Sequence, residues 1–205
     1  GAGSTQDVNA TVEVDDGTSA RTDTPVPGPI GLDDHSSGSS HVSPPIAPQV
    51  LGYARQQQGK RVGDGECFAL ADRALTAAGA KSAGDFGTVD HDADYVWGTP
   101  ISLADLQPGD IIQMRDYRYD RKITTEHADG SSQFVIDFQE RPHHTAIVES
   151  VGANGEVVVL EQNAPRGFAV RRSHLFFVAG TTTSGQTTTE ITLQGTFWFY
   201  RPQPR

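Results

Sequence analysis

Lys60-Arg61-Val62-Gly63-Asp64-Gly65-Glu66-Cys67-Phe68-Ala69-Leu70-Ala71-Asp72-Arg73-Ala74-Leu75 reads as a glycine-rich turn opening a helix, and it contains the single cysteine of the chain. Asp64 has the side chain of an N-cap, which places Cys67 at the third helical position, in the first turn, where backbone N–H groups lack partners and the dipole is positive. Such a position favours thiolate over thiol. Ala71, Ala74 and Ala78 share a face with Cys67, Phe68 and Leu75 flank that face, and Gly79 supplies the stop. The helix should bury one stripe and present its cysteine at one end. Glu66 and Asp64 act in the opposite sense, since nearby negative charge raises a thiol pKa, and a helix-start cysteine is also an ordinary small core residue. Partners further along the chain decide between the two readings.

Downstream, Leu106-Gln107-Pro108-Gly109-Asp110-Ile111-Ile112 is a Pro-Gly turn feeding a strand. Tyr117 to Asp137 is polar and irregular and reads as a long surface loop able to rim a cleft. Thr145 to Val151 and Glu156 to Asn163 are β runs joined around Ala153-Asn154-Gly155, a strong hairpin signal. A further pair lies near Ala169 to Val178 and Thr189 to Tyr200. Upstream of the cysteine, Pro48 to Arg55 predicts a short helix with Val50, Tyr53 and Ala54 on one face, packed beside the Cys67 helix. Helices first and antiparallel strands after define an α+β class.

The hairpin carries the candidate partners. A two-residue Asn154-Gly155 turn pairs residues that sum to 309, so His144, Ala146, Val148, Glu161 and Asn163 share one face and Gln162 takes the other. In that register Asn163 is the easier reach for His144, and Glu161 needs a twist or bulge. A three-residue turn would break this parity. A helix-start nucleophile, an imidazole to take and return its proton and a polar group to fix the imidazole form the set that nucleophilic catalysis needs. Cys67, His144 and Glu161 or Asn163 supply it in chain order, with the backbone N–H of Cys67 as part of an oxyanion hole. His143 competes with His144 for the role of base.

The whole chain has 205 residues and net charge −10, enough for one domain with a sizeable core and a tail. Residues 1–48 hold seven acidic residues against Arg21 alone. Rich in Gly, Ser, Thr, Pro and Asp, residues 1–46 read as a disordered linker that precedes a domain over 47–205. Pro25 to Pro29 offers a Pro-rich recognition segment as the functional alternative, and with it a protein partner. No basic face speaks for nucleic acid, and no apolar run approaches the roughly 18 residues of a membrane span. One cysteine excludes an intrachain disulfide and C-x-x-C metal sites. Asp90, Asp92 and Asp94 alternate as in a calcium loop, yet Tyr95 and Ile101 stand where that loop needs Gly and Glu, so no metal and no cofactor is expected. The first residue is not Met, and no compartment is legible.

The Gly-Asp-Gly-Glu-Cys67-Phe-Ala-Leu-Ala turn, the Leu-Gln-Pro-Gly-Asp110-Ile-Ile strand, His144-Thr-Ala-Ile-Val and Val-Leu-Glu161-Gln-Asn163 resemble the papain-like cysteine hydrolases of the CHAP and NlpC/P60 type. With the closing Phe197-Trp198-Phe199-Tyr200-Arg201-Pro202, the cysteine turn looks still more like the cysteine-proteinase-fold module of a yeast actin-patch, myosin-interacting protein. The resemblance covers about residues 47–202. It implies short helices packed on a small curved antiparallel sheet. It implies Cys67 as nucleophile, His144 as base, Glu161 as the residue orienting it and Asn163 as a further polar contributor. The activity implied is amide hydrolysis through an acyl-enzyme, on a peptide or, as in bacterial relatives, a peptidoglycan-like substrate, which would put a bacterial protein outside the cell or in its envelope. Where some CHAP enzymes bind calcium ahead of the cysteine, this chain reads Lys60-Arg61-Val62-Gly63-Asp64. The alternative function is a non-catalytic protein-interaction module on the same fold.

Overall fold

The computed structural model describes residues 45–205, so nearly all of the expected linker lies outside the described residues. Two helices, α1 (Ile46–Gln56) and α2 (Cys67–Ala77), precede seven strands: β1 (Thr99–Ile101), β2 (Ile111–Glu126), β3 (Ser132–Val151), β4 (Glu156–Glu161), β5 (Arg171–Phe176), β6 (Gly180–Ser184) and β7 (Thr187–Arg201). All pairings are antiparallel, in the order β1-β7-β2-β3-β4-β5, with β6 on the outer side of β7.

The helices lie on one face of this sheet. Val50, Leu51 and Ala54 of α1 meet Leu70, Ala71, Ala74 and Leu75 of α2 over Ile111, Ile147 and Leu160. Leu51 takes the buried place expected of Tyr53, which is half-buried at the rim. After α2, the N–H groups of Gly79 and Ala80 return to the carbonyls of Thr76 (3.1 Å) and Leu75 (2.9 Å), closing the helix where the sequence placed its stop. A second core fills the other face with Ile112, Met114, Ala146, Val148, Val159 and Phe199. Tyr117 Oη donates to Phe176 O (2.6 Å) and accepts from Phe176 N (3.0 Å), fastening β2 to the far edge strand β5 and curling the sheet around that core.

Three expectations are corrected. Tyr117 to Asp137 is no loop: β2 and β3 stay paired from Ile111↔Ile147 to Glu126↔Ser132 in one register, so the sheet is large and carries a long arm. Alternation hides this arm from a sequence reading because both faces are polar or exposed over most of its length. The two late β runs do not pair with each other, since β5 pairs with β4, and β7 with β2, β1 and β6. The turn after β3 has three residues, a 3₁₀ turn over Ala153–Gly155 with Asn154 at φ 57°. That alone would reverse the parity of the hairpin. The register also slips between Val148 and Ser150, leaving Glu149 unmatched, and pairing resumes as Val148↔Val159 and Ile147↔Leu160. The bulge cancels the turn, so His144 and Glu161 keep a common face.

A second irregularity reverses the alternation of the arm. Between Arg115 and Arg118, β2 slips against β7, with Asp116 at φ 50° facing Gly195 at φ 87°. A Cβ on Gly195 would lie 2.2 Å from Asp116 O, so no other residue fits the crossing. Ile112 and Met114 point into the second core before the slip, and Tyr117 and Tyr119 after it. Arg141, opposite Tyr117, follows the same reversal on β3, beside Pro142, which has no N–H to pair.

Candidate active site

Cys67 is the first residue of α2, not the third, because Glu66 is the N-cap and Asp64 lies in the turn before it. Asp64 Oδ1 accepts from the N–H of Glu66 (2.9 Å). Gly65, at φ 92°, has the Arg61 guanidinium where a Cβ would stand, which lets the turn fold tightly beneath the helix start. As the first helical residue, Cys67 has an N–H without an intrahelical acceptor.

Its side chain meets β3 where β4 has ended. Ile147↔Leu160 is the last pair of the β3–β4 ladder, and the next outward N–H, that of Thr145, is bound by the Cys67 sulfur. The same sulfur is hydrogen-bonded to the His144 ring. His144 Nε2 lies 2.8 Å from Glu161 Oε2, which leaves Nδ1 for the thiol. Glu161 is gripped in turn by Arg141, with Nε to Oε2 at 2.9 Å and Nη2 to Oε1 at 2.5 Å. Cys67, His144, Glu161 and Arg141 are all 9 % exposed or less.

The electrostatics follow from these contacts. Burial alone would raise the Cys67 pKa, and Glu66 adds to that, but the His144 hydrogen bond and charge, with the Thr145 N–H, bring the net shift below the ordinary value. For His144, burial works against the charged ring, yet Cys67 and Glu161 outweigh it and raise the ring to about 9. Glu161 is opposed by burial and lowered to about 2 by His144 and Arg141. Shifts of opposite sign on Cys67 and His144 describe one coupled pair, in which each group favours the charged form of the other.

The side chain that meets the His144 ring is Glu161, and the expectation that Asn163 reaches His144 more easily is corrected. The register is two residues shorter than a two-residue turn would give, which brings Glu161 opposite Ala146 and carries Asn163 past the end of β4. Asn163 sits at φ 65° in the following turn, accepting from Gly167 N (2.6 Å) and donating to Glu66 Oε2 (2.8 Å). His143 turns away, with Nε2 donating to Ala93 O (2.7 Å) beside the Tyr95 ring. Asp92 and Asp94 hold Arg115, and among the described residues no group of His, Cys, Asp and Glu converges as a metal site.

Two further side chains were not singled out from the sequence. Gln162, fully buried, accepts from Val62 N (2.6 Å) and donates to the carbonyls of Val62 and Glu66 (2.9 Å each), clamping the turn that presents Cys67. Gln113 accepts from Trp97 Nε1 (3.0 Å) and Thr145 Oγ1 (2.7 Å), fixing β3 behind the sulfur, while its own Nε2 is buried without a partner among the described residues. Two grooves of about 520 and 510 Å³ meet at Cys67. Phe138 to His144 and Ala164 to Arg166 wall one, while Phe68, Val89, His91 and Tyr95 wall the other.

A helix-start cysteine, a strand histidine and a buried carboxylate on a curved antiparallel sheet define a cysteine proteinase fold. Residues 40–205 match the AIM3/BBC1 cysteine proteinase-fold domain, and the chain belongs to that family. No curated protein and no solved structure gives a significant match.

Proposed function

We propose that the domain is a cysteine-dependent amide hydrolase of the papain-like CHAP and NlpC/P60 kind, acting through an acyl-enzyme. The observation that carries this reading is one imidazole joining Cys67 to Glu161 inside a groove. The thiolate attacks the carbonyl carbon, forming a C–S bond, and the N–H of Cys67 faces the developing oxyanion. His144 then gives its Nδ1 proton to the amine nitrogen as the C–N bond breaks. A water, deprotonated by the neutral ring, attacks the thioester; the C–S bond breaks and the thiolate and imidazolium are restored, with the acid released. Glu161 holds the ring in place throughout, and Asn163 supports the turn through Glu66. The proposal is for peptide amides in general; peptidoglycan gains no support from the family.

Alkylation by iodoacetamide between pH 5 and 9 tests it without any substrate. The native thiol should react fast at pH 6, where an ordinary thiol of pKa about 8.5 is almost wholly protonated. His144→Ala should slow it by more than about tenfold at that pH, and His143→Ala should not. An ordinary thiol profile in the native chain, or equal effects of the two histidine variants, would return the domain to the reading of a non-catalytic interaction module.

A further inference from the structure

Over residues 132–146 the outer side of β3 has no neighbour among the described strands, because β4 covers only Ile147 to Val151. An edge of this length presents a row of unpaired N–H and C=O groups, which natural sheets ordinarily blunt with charge, proline or a covering element. Glu140, Arg141 and Pro142 blunt the end of this edge near Cys67, whereas residues 132–138 carry one charge, Asp137, which is paired with Arg121. Phe134, Ile136 and Phe138, alternate residues on one face, are 61, 61 and 54 % exposed. Lys122 and Arg118 on β2 lie over the rings of Phe134 (5.4 Å) and Phe138 (4.0 Å) from the inner side and leave the outer side open.

The edge leads to the sulfur. Phe138, Gln139, Glu140 and Arg141 belong both to it and to the wall of the groove that contains Cys67. Arg141 Nη1 already holds the Glu140 carbonyl (2.7 Å), so the ladder positions open to a new strand are 132–138. Across the groove stand two cations. Arg166 lines both grooves at Cys67 and forms no ion pair among the described residues, and Arg171 has only the ring of Phe168 (5.3 Å). Arg118, by contrast, is committed to Asp120 and Glu140.

We propose that the outer edge of β3 over residues 132–138 takes an extended peptide as an added strand and leads it into the groove at Cys67, where Arg166 and Arg171 receive an acidic side chain. The final approach to Cys67 rests on the hydrolase reading; the edge itself does not. Main-chain hydrogen bonds supply affinity, and alternate apolar side chains pack on Phe134, Ile136 and Phe138. A second copy of the chain paired through the same edge would cover the arm without entering the groove, which is why a single peptide is the better occupant.

The test uses the full chain carrying Cys67→Ala, so that binding is read without turnover and without dependence on thiol activation. The probe is a fluorescein-labelled Thr-Val-Thr-Val-Thr-Val-Glu-Gly amide, with a counterpart N-methylated at alternate residues so that it cannot complete a ladder. Anisotropy should report saturable binding, and hydrogen exchange should slow at residues 132–138. The N-methylated peptide should bind more than about tenfold more weakly. Ile136→Lys and Arg166→Glu, both at exposed positions, should each weaken binding about fivefold or more. Absence of protection at 132–138, equal binding of the two peptides, or protection accompanied by doubling of mass without peptide would each overturn the proposal. Normal alkylation beside failed binding would sink the edge and spare the hydrolase; the converse would do the opposite.

Discussion

His144 and Glu161 meet at 2.8 Å although their backbones are diagonal neighbours, two positions out of direct register. Arg141 makes the meeting stable by taking both carboxylate oxygens from the other side. A carboxylate this deeply buried needs both partners, since desolvation alone would neutralise it.

Glu161→Gln should therefore cost more than one hydrogen bond. It leaves the Arg141 guanidinium, 7 % exposed, without its counterion, and a buried pair broken on one side typically costs about 3–5 kcal/mol. The His144 pKa should fall and the Cys67 pKa rise, slowing alkylation at pH 6. Arg141→Met removes the cation but leaves Glu161 on His144, so its alkylation profile should stay nearer the native one. Urea unfolding together with alkylation rates separates the two; a Glu161→Gln domain of native stability and reactivity would contradict the assignment.

Stability should depend on pH in a way that identifies the thiolate–imidazolium pair. The raised His144 pKa contributes stability in full below its unfolded value near 6.5 and loses it as pH rises to about 9. The lowered Cys67 pKa contributes in full above its unfolded value near 9.0 and loses its share as pH falls through the lower native value. Between 6.5 and 9 the two trends oppose each other. Below 6.5 the His144 contribution is complete, so any further loss toward acid from this pair comes from the lowered Cys67 pKa. Glu161, lowered to about 2, adds a further loss beneath its unfolded value near 4.5. Cys67→Ser should remove the Cys67 share of the loss toward acid and leave that of Glu161, which chemical denaturation at each pH would show.

Cys67, His144 and Glu161 were legible because each carries a local signal: a glycine turn before a helix, a strand mouth and a strand end. Their common face was legible for a reason only half right, since a three-residue turn and the bulge at Glu149 cancel. Arg141 was not legible. It stands three residues before His144, a spacing that opposes the two on a regular strand, and only the reversal at Asp116 and Pro142 brings them together. Pro142 inside a strand was the available signal of that irregularity. The arm was missed because its strands are exposed over most of both faces, so no buried stripe marked them.

Gln162, assigned to the far face and left without a role, should prove necessary for the cysteine turn. Gln162→Ala would orphan the buried Val62 N–H and take one of two donors from the carbonyls of Val62 and Glu66, which keep the N–H groups of Gly65 and Ala69, a loss of about 1–3 kcal/mol. Reactivity should drop as well, because the turn beneath Cys67 loses its clamp to β4. Thermal melting and alkylation at pH 6 measure the two effects; a loss of stability with unchanged reactivity would mean that α2 alone positions the sulfur.

The crossing at Gly195 offers the most remote test of the site. Any side chain there is strained at φ 87°, and its Cβ would strike the Asp116 carbonyl, which is backbone and cannot swing aside. Gly195→Ala should cost about 2–4 kcal/mol and shift β2 locally. Since β2 sets the face of Arg141 through the Tyr117↔Arg141 pair, the shift should loosen Arg141 from Glu161 and slow alkylation at pH 6. Gly185→Ala is the control: it has φ 59° but open space around it, so it should cost about 1 kcal/mol and leave the thiol unchanged. Equal thiol profiles for the two variants would show that the reversal on the arm has no hold on the site.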